Sequence, residues 1–148
     1  MTPRIAITRT WSDNDVAQLA FEVCDGSSVF ANEAYVPLNW GVTTASALRA
    51  FGQQTYGGLF DLRAGEEGFE YASGHIRARF HWYKPDQLLI STWQQGAHFP
   101  FKGSETAADA RLFLKTEPAL LDRFVAALPS LDAQGDGQAT LECVRLPR

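Results

Sequence analysis

The stretch GHIRARFHWY, from Gly74 to Tyr83, places four side chains that could bind an anion on one side of a strand. Because side chains alternate across a β-strand, its polar and apolar residues separate onto opposite faces. The polar face consists of His75, Arg77, Arg79 and His81. A guanidinium is a planar fork that matches a carboxylate or a phosphate. The stretch therefore predicts an anion-binding or partner-binding face, or else the solvated outer face of an antiparallel sheet.

A set of carboxylates precedes this strand and could face it across a hairpin. The set consists of Asp61, Glu66, Glu67 and Glu70. Opposite charges on neighbouring strands contribute about 0.2–1 kcal/mol per pair, so these residues could pair with the basic strand. They could also form an acidic epitope for a basic partner. A third hypothesis makes two of them the acid and base of a hydrolase, but no substrate cleft is predicted for it.

Aromatic residues form a second candidate site. Trp and Arg are the residues that most often anchor protein interfaces, and this chain contains 4 Trp. The segment WQQGAHFPF concentrates aromatic rings in a region whose Gly and Pro residues predict a loop or a broken hairpin. The residues concerned are Trp93, His98, Phe99 and Phe101. We expect either an exposed protein-binding loop or a small hydrophobic cluster under a long loop.

Signatures of catalysis and of cofactor binding are missing from the sequence. No Ser or Cys lies in a nucleophile motif such as GxSxG, and no glycine-rich loop leads from a strand into a helix. The histidines lack the helical spacing and the neighbouring Cys or Glu residues of a zinc site. Cys24 and Cys143 lie far apart, and we interpret both as reduced core residues. The prediction is a protein that is not an enzyme and has no cofactor and no metal ion.

The composition predicts a single globular domain over residues 1–148. A chain with 45% hydrophobic and 20% charged residues can bury a core without metals or disulfides. With 13 Lys+Arg and 17 Asp+Glu, the net charge of −4 argues against nucleic acid and favours a basic partner. No segment reaches the ~20 apolar residues that span a bilayer, and the first residues lack a signal peptide. We therefore expect a cytoplasmic protein without a membrane partner.

Strand patterns dominate the chain and must position these residues. Period-two alternation predicts strands in six segments, of which the fourth is a meander of several strands. The segments are RIAITRTW, LAFEVCDG, SSVFANEAYVPL, residues 58–95, RLFLKT and ATLECVRL.

Two helices interrupt the strands. The first covers ASALRAFGQQ and could be capped by Thr43 or Thr44. The second covers residues 116–128, with Thr116 as its cap, Pro118 in its first turn and Pro129 at its end. The predicted fold is α+β, with a single twisted antiparallel sheet of about six to eight strands and two helices packed on one face.

The order of four segments resembles a set of small, poorly characterised bacterial α+β proteins. The segments are EAYVPLNW, LRAF, EYASGHIRARFHWY and FLKTEPALLDRFVAALPSL. Members of such sets are commonly suspected to be immunity proteins of contact-dependent or secreted polymorphic toxins. The resemblance covers roughly residues 30–131, and it implies a fold and a toxin-binding function without catalytic residues.

Three functional hypotheses follow from these observations. The first is an immunity-type protein that binds a cognate protein toxin and occludes its active site. The second is a small-anion or small-molecule binding domain, with or without enzymatic activity, that uses the polar face of the Gly74–Tyr83 stretch. The third is an effector chaperone or adaptor with an exposed apolar groove. The sequence leaves homo-oligomer formation open, since a free edge strand could pair with a second copy or with a partner.

Overall fold

The computed structural model describes residues 1–54, 57–65, 73–133 and 136–146. In these parts of the chain it contains ten strands, two α-helices and one short 3-10 helix. The strands are β1 (Arg4–Ser12), β2 (Val16–Cys24), β3 (Val29–Pro37), β4 (Leu59–Gly65), β5 (Ser73–Lys84), β6 (Gln87–Ala97), β7 (Phe99–Phe101), β8 (Ser104–Thr106), β9 (Asp109–Thr116) and β10 (Gln138–Glu142). The helices are α1 (Trp40–Gly52), α2 (Pro118–Ala127) and the 3-10 helix Leu128–Asp132.

The strands that the structure describes form three antiparallel sheets. Sheet A has the order β10-β1-β2-β3, sheet B has the order β4-β5-β6-β9, and β7 and β8 form a two-stranded hairpin. The α+β class, the two helices and the antiparallel pairing are confirmed. The prediction of one sheet of about six to eight strands is wrong, because period-two alternation marks a strand without specifying which strands pair.

The inner faces of sheets A and B share one hydrophobic core with the helices. Alternation along β1 and β2 buries residues such as Ile7 and Phe21, and alternation along β5 buries Ile76, Phe80 and Trp82. The helices add Leu48 and Phe124, which are also fully buried. The apolar face predicted for the Gly74–Tyr83 stretch is therefore confirmed as part of the core.

Two buried amide side chains join sheet A to sheet B. Asn32 on β3 donates from Nδ2 to the backbone carbonyls of His75 and Gln95, over 2.9 and 3.0 Å. Gln94 on β6 donates from Nε2 to Oδ1 of Asn32 over 2.9 Å. Because a buried amide left without partners costs about 1–3 kcal/mol, these bonds fix how β3 crosses β5 and β6.

The first helix begins at Trp40, before either predicted cap. The carboxylate of Asp132 accepts hydrogen bonds from the backbone N–H groups of Gly41 and Val42, each over 2.7 Å. A negative charge at this position also complements the helix dipole. The prediction that Thr43 or Thr44 caps the helix is wrong, because the cap comes from a residue distant in sequence.

The second helix begins at Pro118, with Glu117 in the N-cap position. Thr116, the predicted cap, instead donates from its hydroxyl to the backbone carbonyl of Glu142 over 2.8 Å. The helical path does not stop at Pro129, because the 3-10 helix Leu128–Asp132 continues it. Among the described residues, no helix combines the length and hydropathy needed to cross a membrane.

Candidate functional site

The outer face of sheet B carries the predicted polar residues of β5 beside charged and aromatic residues of its neighbours. Alternation along each strand sends every second side chain to this face. The antiparallel register then aligns those side chains in rows that cross all four strands. One row is Arg63, Arg77, Trp93 and Arg111, and the next is Asp61, Arg79, Ser91 and Phe113.

Trp93 lies between two arginines on the neighbouring strands. The guanidinium carbon of Arg77 is 5.6 Å from the ring centroid of Trp93, and that of Arg111 is 5.0 Å from a ring centroid of the same residue. Both distances are within the range of a cation–π contact, which contributes about 0.5–1 kcal/mol at an exposed site. We call Arg77, Trp93 and Arg111 the arginine row. The indole therefore contacts two guanidiniums, one from each neighbouring strand.

Asp61 on β4 pairs with Arg79 on β5 and with Arg63 on its own strand. Its Oδ1 accepts from Nε of Arg79 over 2.8 Å, and its Oδ2 accepts from Arg79 and Arg63 over 3.0 and 3.1 Å. The hydrogen bonds from Arg79 lower the pKa of Asp61 to about 2, and the same pair raises the pKa of Arg79. The cross-strand pairing suggested by the sequence is therefore present at Asp61. The other predicted carboxylates, Glu66, Glu67 and Glu70, lie outside the described residues.

His75 is not on the solvated surface, which corrects one part of the predicted polar face. Its exposure is 2%, and its imidazole meets the ring of Trp93 edge-on with centroids 5.1 Å apart. Asn32 of β3 binds the backbone carbonyl of His75, so β3 contacts β5 at this residue. His75 thus supports Trp93 from the side, whereas His81 near the other end of β5 is exposed.

An apolar groove adjoins the arginine row. It has a volume of about 540 Å³ and is lined chiefly by Leu59, His81, Leu89, Phe113 and Leu146. Phe113 is 60% exposed and Leu59 is 61% exposed. Exposed apolar side chains that cluster beside charged residues commonly mark an interaction surface.

The predicted aromatic loop is divided between two places. Trp93 belongs to the outer face of sheet B, whereas Phe99 and Phe101 lie on the hairpin of β7 and β8 and are both exposed. His98 lies between β6 and β7 and is half-buried. Of the two predicted readings, exposure of the two phenylalanines favours a contact surface over a hydrophobic cluster.

Sequence reasoning missed the residues that β9 and β4 add to this face. Arg111 and Phe113 alternate with buried leucines in RLFLKT, so their outward direction was readable from the sequence. Their place beside Trp93 and Ser91 depends on the pairing of β6 with β9. Leu59 on β4 was missed for the same reason, because its place opposite His81 depends on the pairing of β4 with β5.

Other chemistry-bearing side chains do not assemble into a site in the described part of the chain. Over those residues, no three His, Cys, Asp or Glu side chains come close enough to hold a metal ion. Cys24 and Cys143 are free thiols and are buried. Burial raises the pKa of Cys143 to about 12, so this thiol stays protonated at neutral pH.

Comparisons of the chain with protein-family profiles, with curated proteins and with solved structures give no significant match.

Proposed function

We propose that this chain is an immunity-type inhibitor, which binds a partner protein through the outer face of sheet B and occludes the active site of that partner. The observation that carries the proposal is the arginine row with the exposed Phe113 beside it. Trp, Arg and Phe side chains in one patch, surrounded by polar residues, are typical of the centre of a protein interface. In this proposal the chain acts stoichiometrically and without turnover.

The arginine row is too shallow to enclose a small anion, although the adjoining apolar groove, with a volume of about 540 Å³, has the size of a small-molecule site. The recess formed by the arginine row has a volume of about 50 Å³, whereas small-molecule sites usually enclose roughly 300–1,000 Å³. Two of the side chains predicted to grip a small anion are also engaged, since His75 is buried and Arg79 is paired with Asp61. An extended surface of a partner could instead contact the arginine row and the apolar groove together.

The charge of this face is opposite to the charge of the whole chain. The net charge of −4 favours a basic partner at long range. At close range, the arginine row presents two guanidiniums with no carboxylate within 4 Å among the described residues. We therefore propose that the contacting patch of the partner is acidic, whatever the net charge of that partner.

The apolar groove favours a second candidate function, that of a chaperone or adaptor for a secreted effector. Such a protein would hold an apolar segment of its client until delivery. The two functions differ in outcome, because an inhibitor abolishes the toxicity of its partner and a chaperone preserves it. One co-expression experiment separates them.

The test uses the product of the gene adjacent to the one that encodes this chain. Cells express that product alone or with this chain, and survival is scored beside the affinity of the purified pair. Protection together with binding supports the inhibitor. Binding without protection supports the chaperone, and absence of both overturns the proposal.

A matched pair of variants then tests the face itself. Phe113→Ser removes a 60% exposed ring from sheet B, and Val29→Ser removes a 46% exposed side chain from β3 of sheet A. We expect Phe113→Ser to weaken binding about tenfold and Val29→Ser to leave it within about twofold. Equal effects of the two changes would contradict the assignment of the face.

A further inference from the structure

The arginines on the outer face of sheet B fall into two groups according to their partners. Asp61 binds Arg79 and Arg63 over 2.8–3.1 Å. Arg77 and Arg111 have no carboxylate within 4 Å in the described residues, and their guanidiniums lie against the ring of Trp93. A guanidinium that stacks on an indole keeps its N–H donors directed outward at the edges of its plane.

We propose that the arginine row binds a carboxylate side chain of the partner, and that the apolar groove receives an apolar side chain two positions away in the same extended segment. This inference rests on the proposed function, whose partner it describes by its chemistry. Two guanidinium forks around one indole suit a carboxylate, because the forks supply paired donors and the ring displaces water from one side.

The spacing of the two subsites matches an extended peptide. Arg111 and Phe113 are alternate residues of β9, so their side chains leave the same face about 6.6–6.8 Å apart along the strand. Alternate side chains of an extended segment in the partner have the same spacing. An acidic residue over the arginine row therefore places the side chain two positions away over Phe113 and the groove.

The first test measures the affinity of the partner for three arginine variants. Arg77→Gln and Arg111→Gln each remove a guanidinium from the arginine row, and Arg123→Gln removes an exposed guanidinium from α2 as the control. We expect the first two to weaken binding about 30-fold and the control to change it less than about twofold. Arg111→Lys keeps the charge and loses the fork, so its affinity should lie between those of wild type and Arg111→Gln.

The second test needs no partner, and so it separates failure of this inference from failure of the proposed function. The probes are the capped peptides Gly-Glu-Thr-Leu-Gly and Gly-Gln-Thr-Leu-Gly, added to isotope-labelled protein in NMR titrations. We expect the Glu peptide to shift the Trp93 indole N–H and the Arg Nε–H signals in a salt-sensitive way. The Gln peptide should bind at least about fivefold more weakly.

Each outcome decides between the two proposals. If wild-type protein binds the partner and neither Arg77→Gln nor Arg111→Gln weakens it, the carboxylate site is wrong and the inhibitor proposal stands. If no partner binds but the Glu peptide shifts the Trp93 signal selectively, the carboxylate site stands and the inhibitor proposal fails. Equal binding of the Glu and Gln peptides counts against the carboxylate site in either case.

Discussion

The outer face of sheet A and the outer face of sheet B differ in how they combine charged and aromatic side chains, although both sheets have four antiparallel strands. The row Gln138, Thr8, Ala20 and Glu33 crosses sheet A, and the row Arg63, Arg77, Trp93 and Arg111 crosses sheet B. The inner faces are alike, since both bury aliphatic and aromatic residues in one core.

This difference separates the side chains that the packing of a sheet requires from those on its outer face that packing leaves free to vary. A sheet that packs on one side needs only polar or small residues on the other. The row through Ala20 in sheet A satisfies that requirement, although Trp11 and Tyr35 in another row of this sheet are 49% and 43% exposed. Sheet B instead places the half-buried ring of Trp93 between two guanidiniums and exposes the ring of Phe113 beside them. This combination of guanidiniums with aromatic rings is the reason for proposing the contact function for sheet B.

The largest expected effect is a loss of stability at the junction where β5 of sheet B crosses β3 of sheet A. Gly74 has φ +108, and a Cβ there would lie 1.7 Å from the carbonyl oxygen of Glu33 on β3. We expect Gly74→Ala to cost about 3 kcal/mol or more, since it combines backbone strain with a steric overlap. Gly103→Ala is the control, because φ is +81 there and no atom lies within 4 Å of the added Cβ. It should cost about 1 kcal/mol in the same urea unfolding experiment.

The next largest effect is on the affinity for the partner, and it compares one tryptophan from each sheet. Trp93 belongs to the arginine row, and Trp11 on β1 packs edge-on against Tyr35 with centroids 6.4 Å apart. We expect Trp93→Ala to lower the affinity for the partner by about 30-fold and Trp11→Ala by less than about threefold. Calorimetry on the purified pair measures both values, and a larger effect of Trp11→Ala would move the contact surface to sheet A.

A smaller effect compares the ion pairs of the two faces. Asp61 binds Arg79 through two hydrogen bonds on sheet B, whereas Glu22 binds Arg4 on sheet A through one nitrogen. We expect Asp61→Asn to lower the free energy of unfolding by about 1 kcal/mol and Glu22→Gln by about 0.3 kcal/mol. Urea unfolding at neutral pH gives both numbers, and a reversed order would show that the bidentate geometry adds nothing.

The smallest effect is the pH dependence of the Asp61 pair. The pKa of Asp61 falls from 3.8 to about 2 on folding, so the folded state binds this proton less tightly than the unfolded state. The stability gained from the pair is therefore complete above about pH 4 and is lost as the pH falls through about 2. Unfolding curves of wild type and Asp61→Asn should converge over that range, and a constant difference would contradict the cause given for the lowered pKa.

Much of the fold was readable because it depends on local alternation. The inward direction of Ile76 and Trp82 and the position of the second helix follow from period and helix signals. The division of the longer strands into sheets A and B could not be predicted from the sequence, since it depends on contacts such as those of Asn32, which lies 43 residues before His75. A single sequence carries no signal for such a crossing.

The candidate site was readable in part for the same reason. Arg77 and Trp93 stand out by residue type, but they become neighbours only through the pairing of β5 with β6. The burial of His75 differs from the accessible position predicted for it, because period-two alternation does not show what covers the outer side of a strand. Arg111 becomes a neighbour of Trp93 only through the pairing of β9 with β6.

The pairing of β1 with β10 delays the completion of sheet A while the protein is being synthesised. Arg4 pairs with Glu142, and the carboxylate at the start of α1 comes from Asp132, so neither sheet A nor the cap of α1 is complete until residues 132–142 have been synthesised. At a ribosomal rate of roughly 5–20 residues per second, several seconds pass between the appearance of β1 and that of its partner strand. During that interval the edge of β1 that β10 later covers has unpaired backbone N–H and C=O groups, to which the strand of another chain could pair.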